Sequence, residues 1–323
     1  MKGKKSKIQI LLSTYNGESY LREQLDSFLA LENYGDVKVL IRDDGSTDGT
    51  LAILYEYRDK HGFEIIEGKN LGLNASMYEL LAHRDRDCEY YSFSDQDDVW
   101  LKDKLSRGIN ALADFDSSKP CLYCSCSYLT DDDLNILGHT FVPKRKLSFY
   151  NAMIQNVCPG HAQICNKAFA DVLSEKYSDG IMVFDYWCYL LASAIGTVVF
   201  DPTPTTLYRQ HKSNAIGCEH SRLKILKIRI SRVKSKVSAE NARQLKALYD
   251  VCFDIIPDEY KKETERFFKG QRNVFTRIGY LFRSKAYRQT PIETLIFRFM
   301  YLFGRYNLAN KNIKIQTTQE KQQ

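Results

Sequence analysis

Residues 90–100 read Tyr-Tyr-Ser-Phe-Ser-Asp-Gln-Asp-Asp-Val-Trp, a short aromatic run that ends on three carboxylates within four residues. The run Tyr90 to Ser94 predicts a β-strand, and Asp95, Asp97 and Asp98 predict a tight acidic loop at its carboxyl end. The same alternation extends back to the N-terminus. Ile8 to Ser13 is an apolar run of strand length, followed by the turn pair Asn16-Gly17 and a helical spacing through Leu21, Leu25, Phe28 and Leu29. Val37 to Ile41 predicts a second strand, closed by Asp43-Asp44-Gly45. Ser46 or Thr47 is placed to cap the next helix, through Leu51, Leu54 and Tyr55. Phe63 to Ile66 predicts a third strand, and Asn70-Leu71-Gly72 turns the chain into a helix through Met77, Leu80 and Leu81. Beyond the acidic loop, a helix is expected from near Asp103 and a fifth strand over Cys121 to Tyr128.

Strands separated by helices of this length imply βαβ units and a mainly parallel sheet. Such sheets bind ligands outside the carboxyl ends of their strands. Thr14, Asp43-Asp44 and Asp95 to Asp98 each follow a predicted strand, so three polar clusters are expected on one rim. Carboxylates on a tight loop are hard oxygen ligands suited to Mg²⁺ or Mn²⁺ bridged to phosphate oxygens. An ion held there neutralises charge developing on a leaving diphosphate. A solvated acidic turn is the competing reading of Asp-x-Asp taken alone.

Bulk composition narrows the classes. With 323 residues, 27% charged and 44% hydrophobic, the chain is long enough to bury a sizeable core and is not of disordered type. No apolar run approaches the roughly 18–20 residues of a membrane-spanning helix. The run after the basic N-terminus, Ile8 to Leu12, contains Gln9 and is too short for a signal peptide, so a protein that is not exported is expected. Nine cysteines without scaffold-like spacing predict reduced thiols. Cys121, Cys124 and Cys126 lack an evident fourth zinc ligand and read as small buried hydrophobes on a strand. Residues 1–218 carry 23 Lys/Arg against 30 Asp/Glu, whereas residues 219–323 carry 23 against 10. Halves of opposite sign suggest two jobs. The basic half has no zinc-finger, RRM or KH signature, so nucleic acid is not an expected partner.

Four segments, in order and spacing, carry a specific resemblance: Leu12-Ser13-Thr14-Tyr15-Asn16, Arg42 to Thr50 (RDDGSTDGT), Asn70-Leu71-Gly72, and Ser94 to Trp100 (SDQDDVW). Residues 8–105 resemble the donor-binding half of the family 2 glycosyltransferases, inverting enzymes with the GT-A fold. The Ser-Asp-Gln-Asp-Asp-Val-Trp variant is similar to that of bacterial rhamnosyltransferase-like members that build surface polysaccharides. The resemblance implies an α/β GT-A catalytic domain over residues 1–218, a Rossmann-like sheet with flanking helices. Its donor-binding half would span about 8–130 and its acceptor half about 131–218. Residues 219–323 would form a smaller, basic α-helical C-terminal region.

The resemblance also implies roles. Thr14, Tyr15 and Asn16 would line the nucleotide pocket, and Asp44 would accept a hydrogen bond from a pyrimidine base. Asp95 would hold the sugar or its ribose and approach the metal, and Asp97 would ligate Mg²⁺ or Mn²⁺ directly. Asp43 either joins them or caps the following helix. Phe184-Asp185-Tyr186-Trp187 resembles the family's acidic-aromatic motif, often His-Asp-Trp-Trp, which assigns Asp185 as the base that deprotonates the acceptor hydroxyl. Asp185 also suits a helix cap, and Phe184 departs from the family's His. Tyr208-Arg209-Gln210-His211, with Asn214, matches a further segment. Arg209 would meet the diphosphate, with His211 an alternative to it or a third metal ligand. Pro159-Gly160-His161 would border the acceptor pocket or form an ordinary turn.

The implied donor is a dTDP- or UDP-linked sugar, with dTDP-rhamnose a candidate, and the implied acceptor is a glycan on polyprenyl diphosphate. Such an enzyme is expected in the cytoplasm, peripheral at the inner face of the membrane. Ser221 to Val237 has no acidic residue, and Leu223, Leu226, Ile230, Val233 and Val237 form one helical stripe. Leu295 to Phe303 is apolar apart from Arg298 and is flanked by Arg283, Lys285, Arg288 and Arg305. Both segments suit an anionic bilayer surface or a helical subdomain with a solvated basic face. Two competing functions remain at this stage: a transferase acting on a soluble or protein acceptor, and a catalytically silent nucleotide-sugar-binding scaffold.

Overall fold

The computed structural model describes residues 6–32, 36–211 and 237–308. Apart from Val237, the basic stripe expected over Ser221 to Val237 lies outside the described residues, as does Asn214. The chain divides into two compact units. The first contains the described residues up to Val142, Cys158–Glu175 and those from Gly196; the second contains Pro143–Val157, Lys176–Ile195 and those from Val237.

The first unit is built on one sheet. Strands β1 (Lys7–Thr14), β2 (Asp36–Asp43), β3 (Glu64–Glu67) and β4 (Tyr90–Ser94) run parallel in the order β3-β2-β1-β4. Helices α1 (Leu21–Leu29), α2 (Thr50–His61) and α3 (Leu73–His83) connect them. Ile8, Ile10, Leu11 and Leu12 are fully buried, as expected of a parallel strand covered on both faces. Leu21, Leu25 and Phe28 put one buried face of α1 into the same core, with Leu54 from α2. Helix α2 stops where Gly62 adopts φ 72°, a left-handed C-cap.

The parallel pattern ends at β4. The short strand β5 (Val99–Trp100), helix α4 (Lys104–Ala113), strands β6 (Cys121–Thr130) and β7 (Ile136–His139) follow, then β8 (Gln163–Asn166) and β9 (Thr197–Arg209). Strand β8 lies antiparallel between β4 and β6, β9 runs parallel to β6, and β5 pairs antiparallel with β9. The sheet is therefore mixed, parallel in its N-terminal part. Cys121, Cys124 and Cys126 are buried along β6.

The second unit is helical: α5 (Phe149–Ala152), α7 (Phe184–Ile195), α8 (Val237–Val251), α9 (Asp258–Gly270), α10 (Val274–Arg283) and α11 (Pro291–Leu302); α6 (Lys167–Glu175) belongs to the first. Asn273 and Thr276 form a reciprocal capping box at α10, and Thr290 caps α11 with Pro291 in its first turn. Phe267, Tyr280, Phe297, Tyr301 and Tyr306 cluster between these helices. No helix among the described residues is long and apolar enough to cross a membrane.

Candidate active site

The strand register brings the polar clusters together. Thr14 pairs with Asp43 across β1 and β2, and Leu12 pairs with Ser94 across β1 and β4. Three loops therefore leave the sheet side by side at its carboxyl end. Gln96 ties two of them: Tyr15 N donates to Gln96 Oε1 at 2.9 Å, and Gln96 Nε2 donates to Tyr15 O at 3.1 Å. Gly17 permits this closeness, because a Cβ there would lie 2.5 Å from Gln96 Oε1. Asn16, at φ 48°, ties the first loop to the second: its N–H donates to Ser46 Oγ and its Oδ1 accepts from Thr47 N.

Asp43 does not cap α2. It accepts from Gly45 N, Ser46 N, Ser46 Oγ and Thr14 Oγ1, which folds its own turn. Neither Ser46 nor Thr47 supplies the cap: the N-cap is Gly49, and Asp48 accepts from Thr50 N at 3.0 Å. The expectation fails because Ser46 is drawn into the Asp43 turn. Asp44 is buried and paired with Arg42, and its two oxygens accept from Leu71 N and Gly72 N, each at 2.8 Å. The carboxylate expected to meet a base anchors the Asn70-Leu71-Gly72 turn in this structure.

The acidic loop meets β9 and the residues after it. His211 Nε2 and Asp97 Oδ2 are 2.8 Å apart, and the His211 ring stacks on Tyr20 with centroids 4.8 Å apart. Arg209 holds the loop from beneath. Its N–H donates to Asp98 Oδ1 at 3.2 Å and its Nε to Asp97 O at 3.1 Å, while the guanidinium reaches Glu23 and the Asp132 carbonyl. In this structure Arg209 positions the carboxylate loop.

A second group was not foreseen as such. Ligand-type atoms of Asp95, Asp98 and His161 lie within 4.8 Å of one another, and His161 Nδ1 is 3.6 Å from Asp95 Oδ2. Ser127 Oγ holds the other ring nitrogen of His161 at 2.9 Å. Beneath them Lys104 is fully buried, its Nζ donating to His161 O and Thr206 Oγ1, 4.5 Å from the Trp100 ring centre. Burial pulls the Lys104 ammonium down to about 7, against the opposing charge of Asp98. Asp97 is pushed up by burial and by Asp95, with His211 opposing; Asp98 is pushed well up by burial, Asp95 and Asp97.

These residues fit a divalent cation. Carboxylate oxygens and an imidazole nitrogen are a donor set for Mg²⁺ or Mn²⁺. Asp98 Oδ2 is buried with no hydrogen-bond partner among the described residues, as expected where a positive group belongs. The structure thus gathers Thr14, Tyr15, Asn16, Asp44, Asp95, Asp97, Arg209 and His211 in the first unit. Asp185 belongs to the second, in the first turn of α7, an otherwise almost wholly buried helix. Sequence reasoning missed Lys104 and the ligand geometry of Asp98 and His161. Their partners lie on β6, β9 and the 3₁₀ turn Gly160–Ala162 that precedes β8, far off in sequence.

A parallel half-sheet running into a mixed one, with carboxylates gathered at the strand ends, is an arrangement of the GT-A type. Residues 9–170 match the model of Glycosyl transferase family 2, and the chain belongs to that family of glycosyltransferases. It is 28% identical over 222 residues to the dTDP-rhamnosyl transferase RfbG of Shigella flexneri, covering 65% of this chain and 75% of that one. An uncharacterized glycosyltransferase of Rickettsia typhi is 32% identical over 117 residues, 36% of this chain and 35% of its own length. Among solved structures, S. aureus TarS 1–349 in complex with UDP-GlcNAc superposes with a TM-score of 0.51 at 15% identity, covering 94% of this chain and 92% of that one. That likeness establishes the GT-A fold.

Proposed function

We propose that this enzyme transfers a sugar, with inversion, from a nucleoside-diphosphate donor to a hydroxyl of a lipid-linked oligosaccharide in surface polysaccharide synthesis, at the cytoplasmic face of a membrane. The observation that carries the reading is the meeting of Asp97 with His211 beside Asp95, Asp98 and His161 on one rim of the sheet. dTDP-rhamnose is the proposed donor, supported by the 28% identity to RfbG over 65% of this chain.

In this reading Thr14, Tyr15, Asn16 and Asp44 form the nucleotide side of the pocket. Asp97, Asp95 and His211 would hold a Mg²⁺ or Mn²⁺ ion. The bound cation supplies charge neutralisation for the departing diphosphate. Arg209 keeps the Asp97-Asp98 loop in place rather than touching the diphosphate. Asp185 takes the proton of the acceptor hydroxyl as its oxygen bonds to the anomeric carbon and the bond to the diphosphate breaks. One carboxylate suffices for a single displacement, because no covalent intermediate forms.

The test is a thermal-shift screen of dTDP- and UDP-sugars with and without Mn²⁺, since a ligand that binds the folded state raises its melting temperature. Stabilisation by a dTDP-sugar that needs the metal is the expected result. Stabilisation by no nucleotide sugar under either condition would remove the reading.

A further inference from the structure

Helices α10 and α11 each bury one face and expose another of unusual composition. Inward, Tyr280 of α10 and Tyr301 of α11 meet with ring centroids 4.6 Å apart, around Phe267. Outward, α10 carries Phe275 (80% exposed), Ile278 and Phe282 (88% exposed), at steps of three and four. Helix α11 and the residue after it carry Leu295 (68% exposed), Phe299 and Phe303, at steps of four. These spacings place each set on one helical stripe. Large apolar side chains arranged in stripes on neighbouring helices mark an interaction surface, whereas scattered single ones do not.

The charge around them selects the partner. Residues 271–308 contain seven Lys/Arg and one acidic residue, Glu293. Arg272, Arg283, Arg298 and Arg305 are exposed, and none forms an ion pair among the described residues. A second copy of this surface would bring like charges together. An anionic bilayer instead accepts the aromatic and aliphatic side chains below its head groups and the guanidinium groups at them. With only 10 and 12 residues, the two helices suit lying in the interface and not crossing it.

We infer that the outward faces of α10 and α11 form the surface by which this protein docks on an anionic membrane, with Phe275, Phe282, Leu295 and Phe299 entering the lipid and the flanking arginines meeting its head groups. The inference rests on the reading that the acceptor is borne on a lipid, and it assigns the contact to this hairpin.

The test is co-sedimentation of the full chain with vesicles of phosphatidylcholine alone or of equimolar phosphatidylcholine and phosphatidylglycerol at physiological ionic strength. The wild type is expected to pellet with the anionic vesicles at least ten times more strongly than with neutral ones. The double variant Phe282→Ser/Phe299→Ser is expected to lose at least tenfold of that binding, and Arg283→Glu/Arg298→Glu to lose the preference for anionic lipid. Melting temperatures equal to wild type establish that both variants fold. Donor-induced stabilisation, measured on the same preparations, reports the transferase reading separately and should be unchanged. Wild-type protein that stays in the supernatant with anionic vesicles overturns the proposal. So does undiminished pelleting of folded variants, or self-association in solution that the same substitutions abolish without any vesicle binding.

Discussion

Arg42 and Asp44 form an ion pair whose side chains are only 3% and 4% exposed, and the pair joins the end of β2 to the turn that opens α3. A buried charge of this kind is tolerated because every partner is in place. Asp44 has the guanidinium and two backbone N–H groups; Arg42 also has Ser76 Oγ and the Lys69 carbonyl. Substituting Asp44→Asn strands the Arg42 charge, so stability should fall by about 3–5 kcal/mol. Urea unfolding of wild type and variant measures it. A loss well under 1 kcal/mol would show that the pair does not hold this turn.

Gln96 contributes through two hydrogen bonds to the backbone of Tyr15, each of a type with a net value of about 1 kcal/mol. Gln96→Ala should leave the fold intact and release the Tyr15 loop. Donor affinity is then expected to drop about tenfold, the equivalent of about 1.4 kcal/mol. Titration calorimetry with a dTDP-sugar reads this directly, and an unchanged Kd would mean that the loop needs no such clamp.

Arg209→Lys tests the positioning role of Arg209. An ammonium cannot reproduce the planar fork that reaches Asp97 O, Glu23 and Asp132 O together. The account predicts a destabilised acidic loop: lower melting temperature and donor binding that demands more Mn²⁺ than wild type. If Arg209 instead gripped the diphosphate, donor affinity would fall with no change in the metal concentration required.

Asp185→Asn separates chemistry from binding. Removal of a general base costs about 10²–10⁴ in turnover. The variant should keep donor-induced stabilisation while losing transfer by that factor. Full transfer activity in the folded variant would assign the base elsewhere.

The N-terminal half of the fold was legible because its signals are local. Short apolar runs end in Asn-Gly or Asp-Asp-Gly turns, and β1 to β4 lie where those runs stand. The C-terminal part of the sheet was not. Strand β9 contains Pro202 and Pro204, which argue against a strand, and the sheet accommodates them through register shifts opposite Ser125 to Tyr128. Strand β8 begins with Gln163 and ends with Asn166, both buried; Gln163 donates to the nearby Cys158 carbonyl and Asn166 to the Lys119 carbonyl 47 residues away, bonds that no periodicity announces. The site divides the same way. Asp95 and Asp97 stood out in their loop, but the use of Arg209 depends on Glu23 and Asp132, 186 and 77 residues away. The ligand-like approach of His161 to Asp98 likewise exists only once β8 lies beside β4.

The central claim is that Asp97 and its neighbours grip a sugar nucleotide through a cation, and titration calorimetry of dTDP-rhamnose into wild type and Asp97→Ala, with and without Mn²⁺, tests it most directly. The account predicts binding by the wild type that requires Mn²⁺ and falls by about 100-fold or more in the variant, in line with the loss of a metal ligand. Equal affinity in both proteins, or wild-type binding indifferent to Mn²⁺, would contradict it.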